Sequence, residues 1–202
     1  MKHSDKTEKK SNQLKPKKSL FKSGWFYIGI GTIFLAVILT FIFFFLGSGK
    51  FYENKKYNFS FKYPSDWSEE DLAQNGLDKY FVVKIKDSKT GATFQVKIDE
   101  QEKPTGFDAV ALSRELDQKL PKELDNFKRI SSKGTKVSGK DALEYTYSYS
   151  YKPENGEAKT TKQKMIILVV SNKSYYLISQ ASEDNFPKVE KNFNQIIKKF
   201  KV

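Results

Sequence analysis

The chain contains no cysteine and only one histidine, His3, close to its first residue. The lack of cysteine excludes disulfides, thiolate zinc sites, cysteine nucleophiles and the lipid-carrying cysteine of a bacterial lipoprotein. With its one histidine at the extreme N-terminus, the chain has little scope for Ser-His-Asp triads or histidine metal sites. A cysteine-free chain tolerates either redox compartment, so cysteine usage leaves the location open.

Phosphate-binding and calcium-binding loops are also missing from the sequence. The run GSGK at 47–50 has neither a preceding strand nor the rest of a P-loop motif. No D-x-D-x-D-G stretch supplies the oxygen ligands of a calcium loop. We therefore expect no metal, no cofactor and no catalytic residues, and we expect that the protein is not an enzyme.

Acidic residues form three short clusters whose best explanation is structural. They are Glu69, Glu70 and Asp71, then Asp99, Glu100 and Glu102, then Glu183 and Asp184. Helix caps and solvated turns account for all three. The alternative is a carboxylate-based envelope hydrolase, which needs two carboxylates held about 5 to 9.5 Å apart across a cleft.

Positive charge is in clear excess, with a net charge of +12 at pH 7. Residues 1–24 hold eight lysines against Asp5 and Glu8, so half of the excess lies in this short tail. Such a polar segment cannot bury a core, and we expect it to be disordered and attracted to anionic lipid headgroups. Solubility and membrane orientation explain the charge, so nucleic acid is not an expected partner.

Residues 25–47 are predicted to form a transmembrane signal-anchor helix. The run 25–46 carries no charge, and at ~1.5 Å per residue it spans roughly 33 Å as a helix. By the positive-inside rule the lysine-rich tail stays cytoplasmic, and residues 51–202 lie outside the cell membrane. The alternative is a cleaved signal peptide, because LGSGK at 46–50 offers small residues for cleavage.

Residues 51–202 have the pattern of an α+β domain with a largely antiparallel sheet. Strands are predicted at 57–63, 80–86, 93–98, 127–137, 142–151, 162–170 and 175–180, and helices at 68–75, 107–120 and 189–200. The second helix has the option of continuing past Pro121, and the last has Asp184 or Asn185 as its cap. Trp67, just after a strand-ending proline, is predicted to pack rather than to stack on a ligand.

Three stretches of this domain resemble the PsbP-like family, which is named for an extrinsic subunit of photosystem II. They are YNFSFKYPSDW at 57–67, SGKDALEYTYSYS at 138–150 and SYYLISQASEDNFPKVEKNFNQIIKKF at 174–200. The resemblance implies an α/β/α sandwich with a central antiparallel sheet. It also implies an extracytoplasmic location, with an apolar helix here in place of a lipidated cysteine.

The hairpin formed by 142–151 and 162–170 carries the candidate binding surface. Tyr149 and Tyr151 approach its tip, where the returning strand brings Lys159, Lys162 and Lys164. Aromatic rings beside lysines bind sugars, nucleotides or acidic protein surfaces, although cross-strand packing also explains them.

These features predict a membrane-anchored extracytoplasmic binding or assembly module. Its partner would be an acidic protein or an anionic cell-wall polymer. A ligand-sensing ectodomain is the other alternative, but the short tail offers no cytoplasmic output domain.

Overall fold

The computed structural model describes residues 49–74, 76–77, 79, 81–102, 106–151 and 157–202. The elements in these ranges are β1 Lys50–Asn54, β2 Phe59–Tyr63, β3 Trp67–Glu69, β4 Val83–Asp87, β5 Thr93–Glu100, α1 Ala109–Glu123, β6 Lys128–Val137, β7 Lys140–Tyr151, β8 Lys159–Val170, β9 Lys173–Ser182 and α2 Phe186–Lys199. The predicted tail at 1–24, the predicted transmembrane helix at 25–47 and the hairpin loop at 153–156 lie outside the described residues. Within the described ranges, no helix has the length and apolarity needed to cross a membrane.

Seven strands form one antiparallel sheet in the order β3-β4-β5-β9-β8-β7-β6, and β1 pairs with β2 in a separate hairpin. The long strands β6 to β9 follow one another through tight turns, which forces antiparallel pairing. β8 lies between β7 and β9, and its run 163–168 is buried on both sides. The strand predicted at 162–170 is therefore confirmed.

Each face of the sheet carries its own hydrophobic core, with one helix on each side. The α2 side includes Ile85, Phe94, Val96, Ile166, Leu168 and Leu177, packed with Phe186, Val189, Phe193 and Ile196 of α2. The α1 side includes Leu143, Tyr145, Tyr147, Met165 and Ile167, packed with Leu116 of α1. Alternation along the strands assigns neighbouring residues to opposite cores. The predicted antiparallel α/β/α arrangement is confirmed for these residues.

The two helices begin and end largely where the sequence predicted. Asp108 caps α1, because its side chain accepts the backbone N–H groups of Val110 and Ala111 at 2.9 and 3.0 Å. These bonds hold the pKa of Asp108 below its usual value. The helix does continue past Pro121, as the sequence allowed. Asn185 is the cap residue of α2, although its side chain makes no capping hydrogen bond there.

Two local predictions were wrong. The segment predicted as a helix at 68–75 begins as β3, because Trp67 is buried and Trp67 to Glu69 pair with β4. Asp71 then closes a turn by accepting the N–H groups of Ala73 and Gln74. The strand predicted from residue 57 begins at Phe59, and β1 forms the other arm of a hairpin.

Trp67 packs as predicted. Its side chain is 1% exposed, and its ring meets that of Phe193 edge-on at 5.6 Å. Burial of an aromatic side chain of this size stabilises the fold by about 3 kcal/mol. Trp67 thus ties the edge strand β3 to α2.

Candidate functional site

The strand register divides the five predicted surface residues between the two faces of the sheet. Tyr151 lies directly opposite Lys159, and Tyr149 shares their face, which is the α1 side. Lys162 and Lys164 occupy the alternate positions of β8 and face the α2 side. Because successive strand residues point to opposite faces, the structure does not bring the five together in one surface.

The tyrosines of β7 form a packed row rather than an open platform. The rings of Tyr145 and Tyr147 lie 5.8 Å apart, and those of Tyr147 and Tyr149 lie 5.9 Å apart. The Tyr145 hydroxyl donates a hydrogen bond of 2.5 Å to Asp117 of α1. Burial, together with this bond, raises the pKa of Tyr145, so the hydroxyl keeps its proton and fastens α1 to the sheet.

Lys164 is the buried member of an ion pair. Its side chain is 8% exposed, and its Nζ donates to Glu190 at 2.8 Å and to Asn194 at 3.1 Å, both on α2. The hydrogen bond from Lys164 holds the pKa of Glu190 below its usual value, and the positive charges of Lys162 and Lys133 add to this effect. Lys164 therefore docks the helix, while Lys162 and Lys133 lie close to the same carboxylate.

A polar and basic surface covers the α2 side of β6, β7 and the tip half of β8. We call it the basic shelf and define it by Lys128, Ser131, Lys133, Thr146, Ser148, Ser150, Thr160 and Lys162. Its cross-strand rows place Ser148 between Lys128 and Lys162. Lys162 also holds its Nζ 4.8 Å from the centre of the Phe186 ring, which fixes one cation at the border with α2.

The flank of α2 that borders the basic shelf adds further lysines. Asn194 contacts Lys164 on this flank. Lys191 precedes Asn194 by three residues and Lys198 follows it by four, so both lie on the same side of the helix. Both residues are exposed. The basic shelf is therefore bordered by two additional positive charges.

Hydroxyl groups line the floor of the basic shelf. Thr146 and Ser148 are 4% and 6% exposed, screened on both sides by strands that carry lysines. Among the described residues, the Thr146 hydroxyl has no hydrogen-bond partner. The hydroxyls that a ligand can reach are those of the half-buried Ser131 and Ser150 and the exposed Thr160. Hydroxyls beside ammonium groups are suited to binding the oxygen atoms of phosphates, carboxylates or sugars.

The composition of the strands explains why no described helix covers the basic shelf. On the α2 side, β4, β5 and β9 carry Ile85, Phe94 and Leu177, which α2 and the β1–β2 hairpin bury. On the same side, β6 and β7 carry lysine, serine, threonine and Glu144, and Val137 and Ala142 at their joined ends are part of this core. Apolar area drives helix packing, so the helix covers one half of this face and leaves the other.

A groove lies on the other face, between α1 and the edge strand β6. Two adjoining cavities of about 400 and 630 Å³ form it, and both reach Ala109 and Gly134. Ser113 of α1 and Ser132 of β6 share a 2.7 Å hydrogen bond within it. Arg129 of β6 pairs with Asp117 of α1 at 2.6 Å, and both residues also line the groove. The groove is thus a second concave surface, and it meets the basic shelf at Ser131 and Lys133 of β6.

A family model described as PsbP-like protein matches residues 47–202. The chain belongs to this family. The match covers the whole of the described PsbP-like domain, and it confirms the resemblance seen in the sequence. No curated protein matches the chain in sequence.

Solved structures share the fold of this PsbP-like domain at low sequence identity. The solution structure of cyanobacterial PsbP from Synechocystis sp. PCC 6803 is 18% identical, with a TM-score of 0.56, and covers 77% of this chain and 92% of its own. A crystal structure from Bacteroides thetaiotaomicron VPI-5482 is 15% identical, with a TM-score of 0.53. That match covers 77% of this chain and 48% of the other, so this chain spans about half of that protein. At these identities the likeness concerns the fold alone.

Two carboxylates of the first acidic cluster in the PsbP-like domain, Glu69 and Glu70, have structural partners. Glu69 accepts a 2.8 Å hydrogen bond from Tyr63, and Glu70 pairs with Lys84 at 2.6 Å. Burial and the bond to Glu69 raise the pKa of Tyr63 to about 12. In the described part of the chain, no cluster of three histidine, cysteine or acidic residues could hold a metal ion.

Sequence reasoning missed Lys128, Lys133, Lys191 and Lys198 as neighbours of Lys162. A β-bulge between Arg129 and Ser131 shifts the alternation of β6, so the pattern did not assign Lys128 and Lys133 to one face. The seven-residue spacing of Lys191 and Lys198 in the sequence places both on one side of the last helix. It does not show which strands that side of the helix packs against.

Proposed function

We propose that the protein is a membrane-anchored extracytoplasmic binding module that engages an anionic envelope partner through the basic shelf. The observation that carries this proposal is the convergence of Lys128, Lys133 and Lys162 on a part of the sheet face that no described helix covers. Lys133 also pairs there with Glu144 at 3.1 Å. These lysines lie beside the hydroxyl groups of the basic shelf, and Lys191 and Lys198 add two positive charges at its border. An acidic protein face and an anionic polymer both complement such a surface.

The anchor part of the proposal rests on the sequence. The uncharged run at 25–46 follows a lysine-rich tail, which favours a single span with the N-terminus inside and the PsbP-like domain outside. A domain held at the outer membrane surface meets anionic envelope components at high local concentration. Anchoring and the basic shelf therefore support the same function.

The test measures binding of the full chain, in lipid nanodiscs, to two anionic probes. Linear polyphosphate represents an anionic polymer, and polyglutamate represents an acidic protein surface. We expect binding that weakens as salt is raised, and the double variant Lys162→Glu, Lys191→Glu should lose about tenfold or more in affinity. Preference for one probe identifies the class of partner.

The matched control is Lys119→Glu, Lys122→Glu, which makes the same change in charge on α1, on the other face of the sheet. This variant should keep most of the affinity. Equal losses in the two variants would show that net charge alone causes the binding, and the basic shelf would then have no specific role.

A further inference from the structure

The groove between α1 and β6 has an exposed apolar rim. Val110 of α1 is 60% exposed and Ile130 of β6 is 46% exposed, and both line the groove. They are two of the four large apolar or aromatic side chains that are exposed in the described part of the chain. The groove is open beside Gly134, because a Cβ built at this position would have no atom within 4 Å. Exposed apolar groups at one concave site indicate a contact surface.

β6 borders this groove as an edge strand. Among the described residues it pairs with β7 only, so its outer backbone N–H and C=O groups have no strand partner there. The bulge at its start leaves a regular stretch from Ser131 to Val137. An edge of this length can accept one more strand, since main-chain hydrogen bonds supply affinity and alternate side chains supply specificity.

The two sides of this edge differ in chemistry. The side toward α1 presents the apolar Val110 and Ile130, and the cations of β6 on this side, Arg129 and Lys136, are paired with Asp117 and Asp141. The side toward α2 presents Lys128 and Lys133, which are exposed cations, and Lys133 also pairs with Glu144 at 3.1 Å. An added strand alternates its side chains between these two sides. Its complement is therefore an extended segment that alternates apolar and acidic residues.

Charge argues against a second copy of the same strand as the occupant. β6 contains Lys128, Arg129, Lys133 and Lys136 and no acidic residue. A second β6 strand could pair antiparallel with this one in several registers. One register places Lys128 opposite Lys136 of the second strand, and another places Lys133 opposite Lys133 of the second strand. Like charges directly opposite each other destabilise strand pairs.

We propose that β6 and the α1 groove bind an extended segment of a partner protein by strand addition, with its apolar side chains against Val110 and Ile130 and its acidic side chains toward Lys128 and Lys133. This site goes beyond the proposed function, because it lies at the sheet edge and takes a peptide rather than an anionic surface. The two sites share Lys128 and Lys133, but each can be disabled through residues of its own, Val110 for the groove and Lys162 with Lys191 for the basic shelf.

The test uses the full chain in lipid nanodiscs and a blocked peptide of about ten alternating valine and glutamate residues. We expect saturable binding with a Kd below about 1 mM, and slower hydrogen exchange at the amides of 131–137 when the peptide is bound. A valine–lysine peptide of equal length should bind at least tenfold more weakly.

Val110→Glu places a carboxylate on the apolar rim and should weaken peptide binding about tenfold. The control Lys119→Glu lies on the same helix but outside the groove lining. It changes the charge more than Val110→Glu does, and it should leave the affinity for the peptide unchanged. The double variant Lys162→Glu, Lys191→Glu separates this site from the basic shelf, since it should not reduce the protection of β6.

Three results would overturn the proposal. They are no binding of the valine–glutamate peptide, binding without slower exchange in β6, and equal losses in Val110→Glu and Lys119→Glu. If polyphosphate or polyglutamate still bound through the basic shelf in such a case, the proposed function would stand without this site.

Discussion

Lys164 and Lys162 lie two residues apart on the same face of β8, yet they differ in environment. Lys164 lies beneath α2 and is satisfied by Glu190 and Asn194, whereas Lys162 lies at the border of the basic shelf over the ring of Phe186. The sequence marked both as binding residues. Burial by α2 makes Lys164 a structural residue and leaves Lys162 at the surface. The sequence of β8 alone does not show where α2 packs.

The ion pair of Lys164 predicts an asymmetry between its two partners. Glu190→Ala should cost about 1–3 kcal/mol of unfolding free energy, because it leaves a buried ammonium with an amide as its remaining partner. Lys164→Met should cost less than about 1 kcal/mol, since the Glu190 side chain is 41% exposed and can be solvated. Urea unfolding of both variants measures the difference. A larger cost for Lys164→Met would contradict this assignment.

The same pair contributes to the pH dependence of stability. The folded-state pKa of Glu190 is lowered, so its contribution is present above the unfolded pKa and is lost as the pH falls through the folded value. Glu190→Gln should therefore flatten the loss of stability between about pH 5 and pH 2.

The register of the β7–β8 hairpin decided which predicted residues meet. Tyr149 pairs with Thr161, so odd-numbered residues of β7 face odd-numbered residues of β8. A shift of one residue would have placed Lys162 beside the tyrosines, because it moves every side chain to the other face. The sequence predicted both strands, but it did not define the loop length that sets this register.

At the level of elements, long patterned segments were predictable and short ones were not. The strands β6 to β9 and both helices follow clear periodicities. The three-residue strand β3 has no period of its own, and the S-x-x-D spacing at 68–71 suggested a helix cap instead. Pairing with β4 and burial of Trp67 outweighed that local signal.

The β1–β2 hairpin depends on a close backbone approach at its open end. A Cβ built on Gly49 would clash with the carbonyl oxygen of Tyr63, which is backbone and cannot turn away. Gly49→Ala should therefore lower the free energy of unfolding by about 1–3 kcal/mol.

Gly134→Ala is the control for this prediction. It lies in strand β6 with open space at the Cβ position, and it should be neutral or slightly stabilising. Urea midpoints of the two variants test the contrast. Equal effects would mean that Gly49 is not sterically required.

At the level of the whole molecule, each helix covers only part of its sheet face. α1 lies over β6 and β7, while α2 and the β1–β2 hairpin pack against the region of β9 on the opposite side. The sequence predicted the helices at 107–120 and 189–200, and the family resemblance implied an α/β/α sandwich. The sequence could not predict the half of the α2 side that no described helix covers, because that depends on residues of β6 and β7 that are distant in sequence from α2.

The basic shelf, to which we assign the proposed binding, is a consequence of this arrangement. It combines residues from three strands and one helix flank, and its residues lie between 128 and 198. The family relationship supports the fold and leaves the partner to be found by experiment.

The central claim is tested most directly by photo-crosslinking in intact cells from two adjacent residues of β8. Thr160 faces the basic shelf side and Lys159 faces the α1 side, and both are exposed. We predict an adduct with an envelope component from Thr160 that is lost in the variant Lys162→Glu, Lys191→Glu, and little adduct from Lys159. Equal adducts from both residues, or none from Thr160, would contradict the account.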